Sequence, residues 1–504
     1  MTVAETDQAA SVAFMMRAET HGGAAVEHIE THISHIFLAG AFAWKMKKAV
    51  SLDFVDFATL DRRRAACEAE LVVNARTARA MYLDVVAINS SNGKLWLGPP
   101  TAPVEYLVRM HRFAQEDLLD RMAVAHRLDL QTVREFADAV ASLHLAAEVV
   151  HPRSAFATTL DDLIANLGHA VPDALRPAFE NWREKVVPLA RTLAPRLSAR
   201  ARRGAVRHGH GDLHLNNACR FRGEVVLFDA IEFEPRFSHV DVLYDAAFAL
   251  MDLRHRDEDE AAIVFLGRYL VATRDYADLP ALRLFLSTRA AVRALVGVLS
   301  PSGQAGAADY LALAADLLAP PRPPWVIAIG GRSGTGKSTL AQALAPGVAA
   351  APDTVVLRTD EIWKCMLGCR PDMTLPADAY RPEVTAAVYR RLARDAGRAL
   401  KAGASVIVDA AMLKPEQRAI ASDIARDNGV AFQGFWLVGS EETLAERIAT
   451  RGTDASDADP QVMRRQPKIE EVAGWQTLRS DRDRSATLAE ARARLALSAP
   501  DWSR

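Results

Sequence analysis

Trp325-Val-Ile-Ala-Ile-Gly330, followed at once by Gly331-Arg332-Ser333-Gly334-Thr335-Gly336-Lys337-Ser338-Thr339, decides the fold of the C-terminal part of the chain. The first six residues are a short, unbroken apolar run ending in glycine, which reads as a strand buried on both faces. The eight from Gly331 to Ser338 fit G-x-x-x-x-G-K-[ST], with a helix expected from Lys337. Glycines let the backbone curl so that successive N–H groups converge on phosphate oxygens, and the helix N-terminus adds its positive end. In that arrangement Lys337 bridges β- and γ-phosphates and the Ser338 hydroxyl ligates Mg²⁺.

Working outward, the same half alternates strands and helices: Thr354 to Asp360, a helix over 383–402, Ser405 to Ala410, another helix, Phe432 to Val438, and a helix from Glu441. Alternation of this kind implies βαβ units, so an α/β P-loop NTPase domain with a mostly parallel sheet is expected. Asp409 ends an apolar strand, where a magnesium carboxylate belongs, although a helix N-cap aspartate has the same local pattern. Asp360, also at a strand end, is placed to accept the proton of an acceptor hydroxyl, with a simple N-cap as its alternative. Arg447 and Arg451 stand i, i+4 and leave one helix face. With Arg464 and Arg465 across the polar segment 452–459 they read as a lid that brings arginine to a transferring phosphate, or as a solvated face. These residues resemble the small P-loop kinases of the gluconate-kinase and polynucleotide-kinase type over about 325–495. The resemblance implies the acceptor-base position for Asp360 and a phosphate or acceptor contact for Arg418.

Four prolines in five residues, Pro320 to Pro324, cannot continue a helix and favour an extended spacer. The chain is therefore divided into 24–319, the linker 320–324, and 325–504. The N-terminal part opens with strand-like pieces (36–38, 42–46, 95–97, 106–110) and continues mainly with helices such as 131–148 and 178–197. It reads as α+β, a small sheet-rich lobe before a helical one. Its chemistry lies in His208-Gly-His210-Gly211-Asp212-Leu-His214-Leu-Asn216-Asn217, followed by a strand that ends at Asp229. Against H-R-D-x-x-x-x-N, His210, Asp212 and Asn217 fit, and the mechanics assign proton acceptance to Asp212 and Mg²⁺ to Asn217 and Asp229. Several histidines beside an aspartate are also compatible with a transition-metal site.

Gly211 in place of the arginine marks a resemblance to aminoglycoside-phosphotransferase-like kinases over about 24–300, in the group fused to a P-loop kinase. The resemblance implies a bilobal protein-kinase-like domain with a phosphate-binding lysine at Lys45, whose strand face Lys47 shares. It implies a carboxylate partner from the helix 60–78, Glu70 in preference to Glu68, since the two point about 200° apart. Tyr106 to Arg112 would supply the hinge for adenine, and Asp245 would brace the catalytic loop. His28, His32 and His35 read as structural. No glycine-rich phosphate loop is evident near 29–40.

Composition limits the alternatives. Lys+Arg 61 against Asp+Glu 63 leaves no basic field to gather nucleic acid or an anionic membrane. Four cysteines fit a reducing compartment, and no run of about 18 apolar residues occurs, so a cytoplasmic protein is expected. The leading expectation is a double phosphotransferase using ATP and Mg²⁺ on small-molecule hydroxyls. Two other readings stay open: one active kinase with a nucleotide-sensing half, and nucleic-acid end phosphorylation by the C-terminal half. Oligomeric state is not legible.

Overall fold

The structure, a computed structural model, describes residues 3–52, 55–150, 155–300, 304–369, 373–450, 456–457 and 459–498. By contact the chain forms two compact units: 1–128, 142–162 and 197–249 in the first, and 129–141, 163–196 and 250–504 in the second. Among the described residues no helix is long and apolar enough to cross a membrane.

The first unit is built on a six-stranded antiparallel sheet of β1 (Val26–Glu30), β2 (Ser34–Ala39), β3 (Phe42–Lys47), β4 (Tyr82–Ser91), β5 (Lys94–Gly98) and β6 (Pro103–His111). The spatial order is β1-β2-β3-β6-β4-β5. Period-two alternation divides β3 between two faces. Trp44 and Met46 join Met15, Phe37 and Leu107 in one apolar cluster, while Ala43 joins Cys67, Tyr106 and Val108 in another. Lys45 and Lys47 therefore leave the strand on the same side as Ala43, toward the helix Leu60–Asn74. That helix begins where the Thr59 side chain accepts a hydrogen bond from the Arg62 backbone N–H.

A buried ion pair fixes the helix against the sheet. Arg63 Nε donates to both oxygens of Glu105 on β6, at 2.8 and 3.0 Å, and Gln8 Nε2 reaches the same carboxylate at 2.7 Å. Farther along, Val206–His208 pairs with His239–Asp241, and a hairpin of β7 (Ala218–Phe221) and β8 (Glu224–Leu227) follows the catalytic-loop sequence. Arg200 grips Asp241 with two hydrogen bonds of 2.7 Å, both side chains buried.

The second unit holds a five-stranded sheet, all parallel: β9 (Trp325–Gly331), β10 (Thr354–Arg358), β11 (Ser405–Asp409), β12 (Ala431–Val438) and β13 (Gln476–Arg479). The order β10-β11-β9-β12-β13 reverses at β9, and in such sheets ligands bind at the carboxyl ends of the strands flanking the reversal. β9, β10 and β11 are buried throughout, as continuous apolar runs require. The helices Asp259–Thr273, Leu279–Leu299 and Gln304–Asp316 precede the proline spacer in sequence yet pack in this unit. Arg283 Nε donates to Asp353 at 2.8 Å and Arg391 Nη2 to the Val271 carbonyl at 2.6 Å. The spacer 320–324 itself is neither helix nor strand.

Breaking a buried pair from one side leaves the other charge uncompensated, typically at a cost of about 3–5 kcal/mol. Arg63→Met is therefore expected to lower the stability of the first unit by about 3 kcal/mol and to speed amide exchange along Leu60–Asn74. Unaltered exchange in that helix would show that Glu105 does not hold it.

Candidate active sites

In the first unit the residues singled out by the sequence converge from four segments. Lys45 Nζ donates to Glu70 Oε1 at 2.9 Å and also pairs with Asp229. Lys47 pairs with the other oxygen of the same carboxylate, Glu70 Oε2, at 2.5 Å. Glu70 is fully buried, whereas Glu68 lies on the exposed face against Arg64. Burial alone would raise the Glu70 carboxyl, but the two ammonium groups outweigh it and hold it down at about 2. Burial likewise opposes the charge on Lys45, and Asp229 and Glu70 overcome it, raising that ammonium well above its ordinary value.

The catalytic-loop segment is held by its backbone. Asp245 is fully buried and accepts from the His210 N–H at 2.6 Å and the Gly211 N–H at 3.0 Å, with His144 Nε2 at 3.2 Å. Gly211 sits at φ +87°, and a methyl group there would lie 2.5 Å from the Phe237 carbonyl oxygen. An arginine at this position is thus excluded by both conformation and space. Burial lowers the His210 imidazole, keeping it neutral, and its Nε2 meets the Phe228 carbonyl at 3.0 Å. Asn217 Nδ2 donates to the Asp212 carbonyl at 2.9 Å and to Asp212 Oδ2 at 3.0 Å, so the acid and the amide form one unit. Asp229 stands at φ +61°, a conformation that a short polar side chain tolerates, and its N–H donates to the Tyr82 hydroxyl at 3.2 Å. The side chains of Asp212 and Asp229 are 38% and 42% exposed, open to a ligand, while Asn217 is buried.

Elsewhere in this unit, Tyr106 to His111 is strand, and the chain turns away only at Arg112 to Glu116. These five residues, with Gly40 and Ala41, line a cavity of about 420 Å³. His28 and His35 face each other across the β1–β2 hairpin, Nε2 to Nδ1 3.1 Å, stacked with Phe37.

In the second unit the phosphate loop leaves β9 and enters the helix Lys337–Val348. Gly331, Gly334 and Gly336 take φ of +144°, +83° and +81°. A methyl group on Gly334 would lie 2.6 Å from the Leu444 carbonyl oxygen. Lys337 Nζ donates to the Arg332 carbonyl at 3.0 Å. Gln466 brackets Ser333, accepting from its N–H at 2.8 Å and donating to its Oγ at 3.0 Å, and Arg332 donates to the Met463 carbonyl at 2.7 Å. The segment Pro460–Gln466 thus buttresses the loop, while Arg464 and Arg465 on it are exposed.

A cavity of about 1060 Å³ opens beside the loop, lined by Ser333 to Thr339, Asp360, Asp409 and Arg447 among others. Asp360 is the second residue of the helix Thr359–Met366. Asp409 is buried, and its Oδ2 accepts from Arg358 Nε at 3.2 Å, the two residues being register partners on β11 and β10. Arg451 lies outside the described residues. Arg418 does not face the cavity as a phosphate contact: it donates to the Met412 and Leu413 carbonyls at 2.9 and 3.1 Å and lies over the Trp436 ring.

Several site residues escape sequence reasoning. Glu232 pairs with Lys47 at 2.5 Å across 185 positions, with no local pattern to announce it. Arg358 pairs with Asp409 only because the parallel register sets them side by side. Glu260, at the end of an acidic run otherwise engaged with its own arginines, lines the cavity of the phosphate loop. Asp457 is held by Lys364 at 2.9 Å, the Leu375 N–H at 2.8 Å and the Tyr380 hydroxyl at 2.7 Å.

An uncharacterised protein of Mycobacterium tuberculosis is 29% identical over 454 residues, which cover 86% of this chain and 88% of that one. Among solved structures, a gluconokinase from Sinorhizobium meliloti 1021 is 24% identical, with a TM-score of 0.25, and aligns over 35% of this chain and 95% of its own. A choline/ethanolamine kinase family protein from Mesorhizobium loti is 13% identical, with a TM-score of 0.39, and aligns over 63% of this chain and 96% of its own. Residues 326–470, from the second residue of β9 to beyond the buttress of the phosphate loop, match the protein family described as AAA domain.

Proposed function

We propose that the chain is a double phosphotransferase, each half moving the γ-phosphoryl group of Mg²⁺-bound ATP to the hydroxyl of a small molecule. The observation that carries this reading is the contact between Lys45 and Asp229, 184 positions apart, beside the Asp212–Asn217 pair. A phosphate-binding cation, two candidate metal ligands and a candidate base are then neighbours, the Phe228 N–H beside Asp229 donating to the Asn217 carbonyl at 3.0 Å. Of the carboxylates that meet Lys45 and Lys47, Asp229 is the one open to solvent, and with the Asn217 amide oxygen it would offer hard oxygen donors suited to a divalent cation. When bound, Mg²⁺ would neutralise phosphate oxygens and shield the charge that develops in transfer.

The chain's own groups then have separate tasks. Asp212 takes the acceptor hydroxyl proton, and the Asn217 amide fixes its rotamer while offering its carbonyl oxygen to the metal. Lys45 holds phosphate oxygens. Asp245 keeps the His210–Gly211 backbone in place and touches no reactant. In the second unit the loop N–H groups, Lys337 and Ser338 hold phosphates and metal, Asp360 serves as base, and Arg447 stands at the phosphate end. Asp409 has to share its carboxylate between Arg358 and the metal. Among the described residues the cavity of the second unit is lined by acidic Glu260, Asp360, Asp409 and Asp457 and by basic Lys337, Lys414, Arg447, Arg482 and Arg484, a nearly balanced set that supports a small polar acceptor over a polynucleotide.

The two halves are separable by mutation in the full chain. With the N-terminal site disabled by Asp229→Asn, adding Lys337→Ala should abolish the remaining ATP binding in calorimetry without moving the thermal unfolding midpoint, since Lys337 belongs to no core. Undiminished ATP affinity in that double variant would overturn the phosphate-loop assignment.

With the loop disabled by Lys337→Ala, Asp212→Asn should cut turnover by roughly 10²- to 10⁴-fold, the range of general-base effects, and leave nucleotide affinity intact. Asp229→Asn should instead weaken Mg²⁺-nucleotide binding. A screen with labelled ATP against metabolites supplies the acceptor for the turnover assay, and an exchange of these two effects would reverse the assigned roles.

A further inference from the structure

We propose that Lys47 and Glu232 form a fixed clamp that positions Glu70, leaving Lys45 as the one lysine that exchanges its partners for nucleotide phosphate. The inference rests on the phosphotransfer reading of the first unit and assigns work within that site.

The two lysines share Glu70 unequally. Oε1 accepts a hydrogen bond from Lys45, while Oε2 forms an ion pair with Lys47 at 2.5 Å without hydrogen-bond geometry, so a cation stands at each oxygen of the carboxylate. Their second partners differ in access. Lys45 ends on Asp229, whose side chain is 42% exposed, whereas Lys47 ends on Glu232, whose side chain is 3% exposed. Lys47 is itself 1% exposed and lies 5.5 Å from the centre of the Phe57 ring, which packs edge-on against Phe233. The strand end is pinned as well: Gln8 donates to the Lys47 carbonyl at 2.8 Å and accepts from the Ala49 N–H at 2.7 Å. One lysine, 10% exposed, therefore ends on a carboxylate open to solvent, and the other, 1% exposed, ends on a buried one.

Ligand binding makes this asymmetry matter. A phosphate and a divalent cation arriving together compete for Lys45 and Asp229, the pair at the open end. As Lys45 turns to phosphate oxygens, Glu70 loses part of its only other cation. A buried carboxylate without a full partner is costly, so a lone Lys45–Glu70 pair would resist opening. Lys47 keeps Glu70 compensated throughout, and Glu232 keeps Lys47 from drawing Glu70 wholly away from Lys45. Neither clamp residue touches nucleotide; both act through Glu70.

The test uses the full chain carrying Lys337→Ala, so that only the N-terminal site reports, titrated with Mg²⁺ and a non-hydrolysable ATP analogue. Lys47→Met and Glu232→Gln are each expected to weaken binding roughly 10- to 100-fold, the usual size of outer-sphere effects on ligating groups. Lys47→Arg should recover much of the loss. The paired variant Lys47→Met/Glu232→Met removes both charges together, which buried pairs commonly tolerate. It should stay folded, keep amide protection along Leu60–Asn74, and still bind more weakly. Wild-type affinity in that paired variant would overturn the clamp. So would a loss of affinity that comes with lost protection along the helix and is not repaired by Lys47→Arg, which would make the pair purely structural. Lys45→Met separates this from the underlying reading: unaltered binding in that variant refutes the phosphate site itself, not only its clamp.

Discussion

An ionised group stays ionised inside a protein only if it is paired, because desolvation costs several kcal/mol per ion. Both candidate sites are arranged around that constraint. In the first unit Glu70 is fully buried, and two lysines from one strand face meet its two oxygens. The helix that delivers it is in turn held by Arg63 and Glu105, another buried pair. In the second unit Asp409 is buried beside Arg358, which also meets Glu361 at 3.1 Å. On the proposed reading, Asp229 and Asp409 each have a cation already in contact, so a ligand would trade with an existing partner instead of entering a vacant field. Such sites bind through exchange of ion pairs, which favours ligands carrying both charge signs, as a metal-bound phosphate does.

How far sequence reaches depends on whether the chemistry is local. The phosphate loop is written in nine consecutive residues, Gly331 to Thr339, flanked by a strand and a helix with unmistakable periodicity, and all of it is found in place. Helical geometry says that only one of Glu68 and Glu70 can face the lysines, and it is the structure that shows Glu70 buried against them and Glu68 exposed. Gly211 is marked in the sequence by a resemblance alone, and φ +87° in the structure supplies its physical reason. The same strands and helices are legible wherever apolar runs are continuous or alternate cleanly.

What escapes is whatever depends on register or on long-range packing. Glu232 has no neighbour in sequence that marks it, and only the docking of its loop against β3 makes it a partner of Lys47. Arg358 was visible as part of a strand end, but its pairing with Asp409 needs the parallel alignment of β10 and β11, which a single sequence does not fix. The proline spacer marks a change in local composition, whereas contact follows buried surface. The helices 259–273, 279–299 and 304–316 lie before the spacer and nevertheless belong to the unit of the parallel sheet, the first two tied in by Arg391 and Arg283 and the third by the Ser287 hydroxyl, which donates to the Ala314 carbonyl.

The two ways of holding phosphate proposed for the two units differ in what they ask of the fold. A backbone cradle needs a few residues at permitted φ and a helix to follow, so its geometry survives as long as one strand-to-helix junction does. A side-chain site centred on Lys45 and supported by Glu70, Asp229 and Glu232 needs a sheet, a helix and one loop in mutual register at once. Small changes in packing anywhere along Leu60–Asn74 move Glu70 relative to both lysines, and the charge balance of the cleft moves with it. Local opening free energies vary within a protein from near zero to the global value. The N-terminal site is therefore the one whose competence is set by the stability of its surroundings, and the C-terminal site the one set by its own loop.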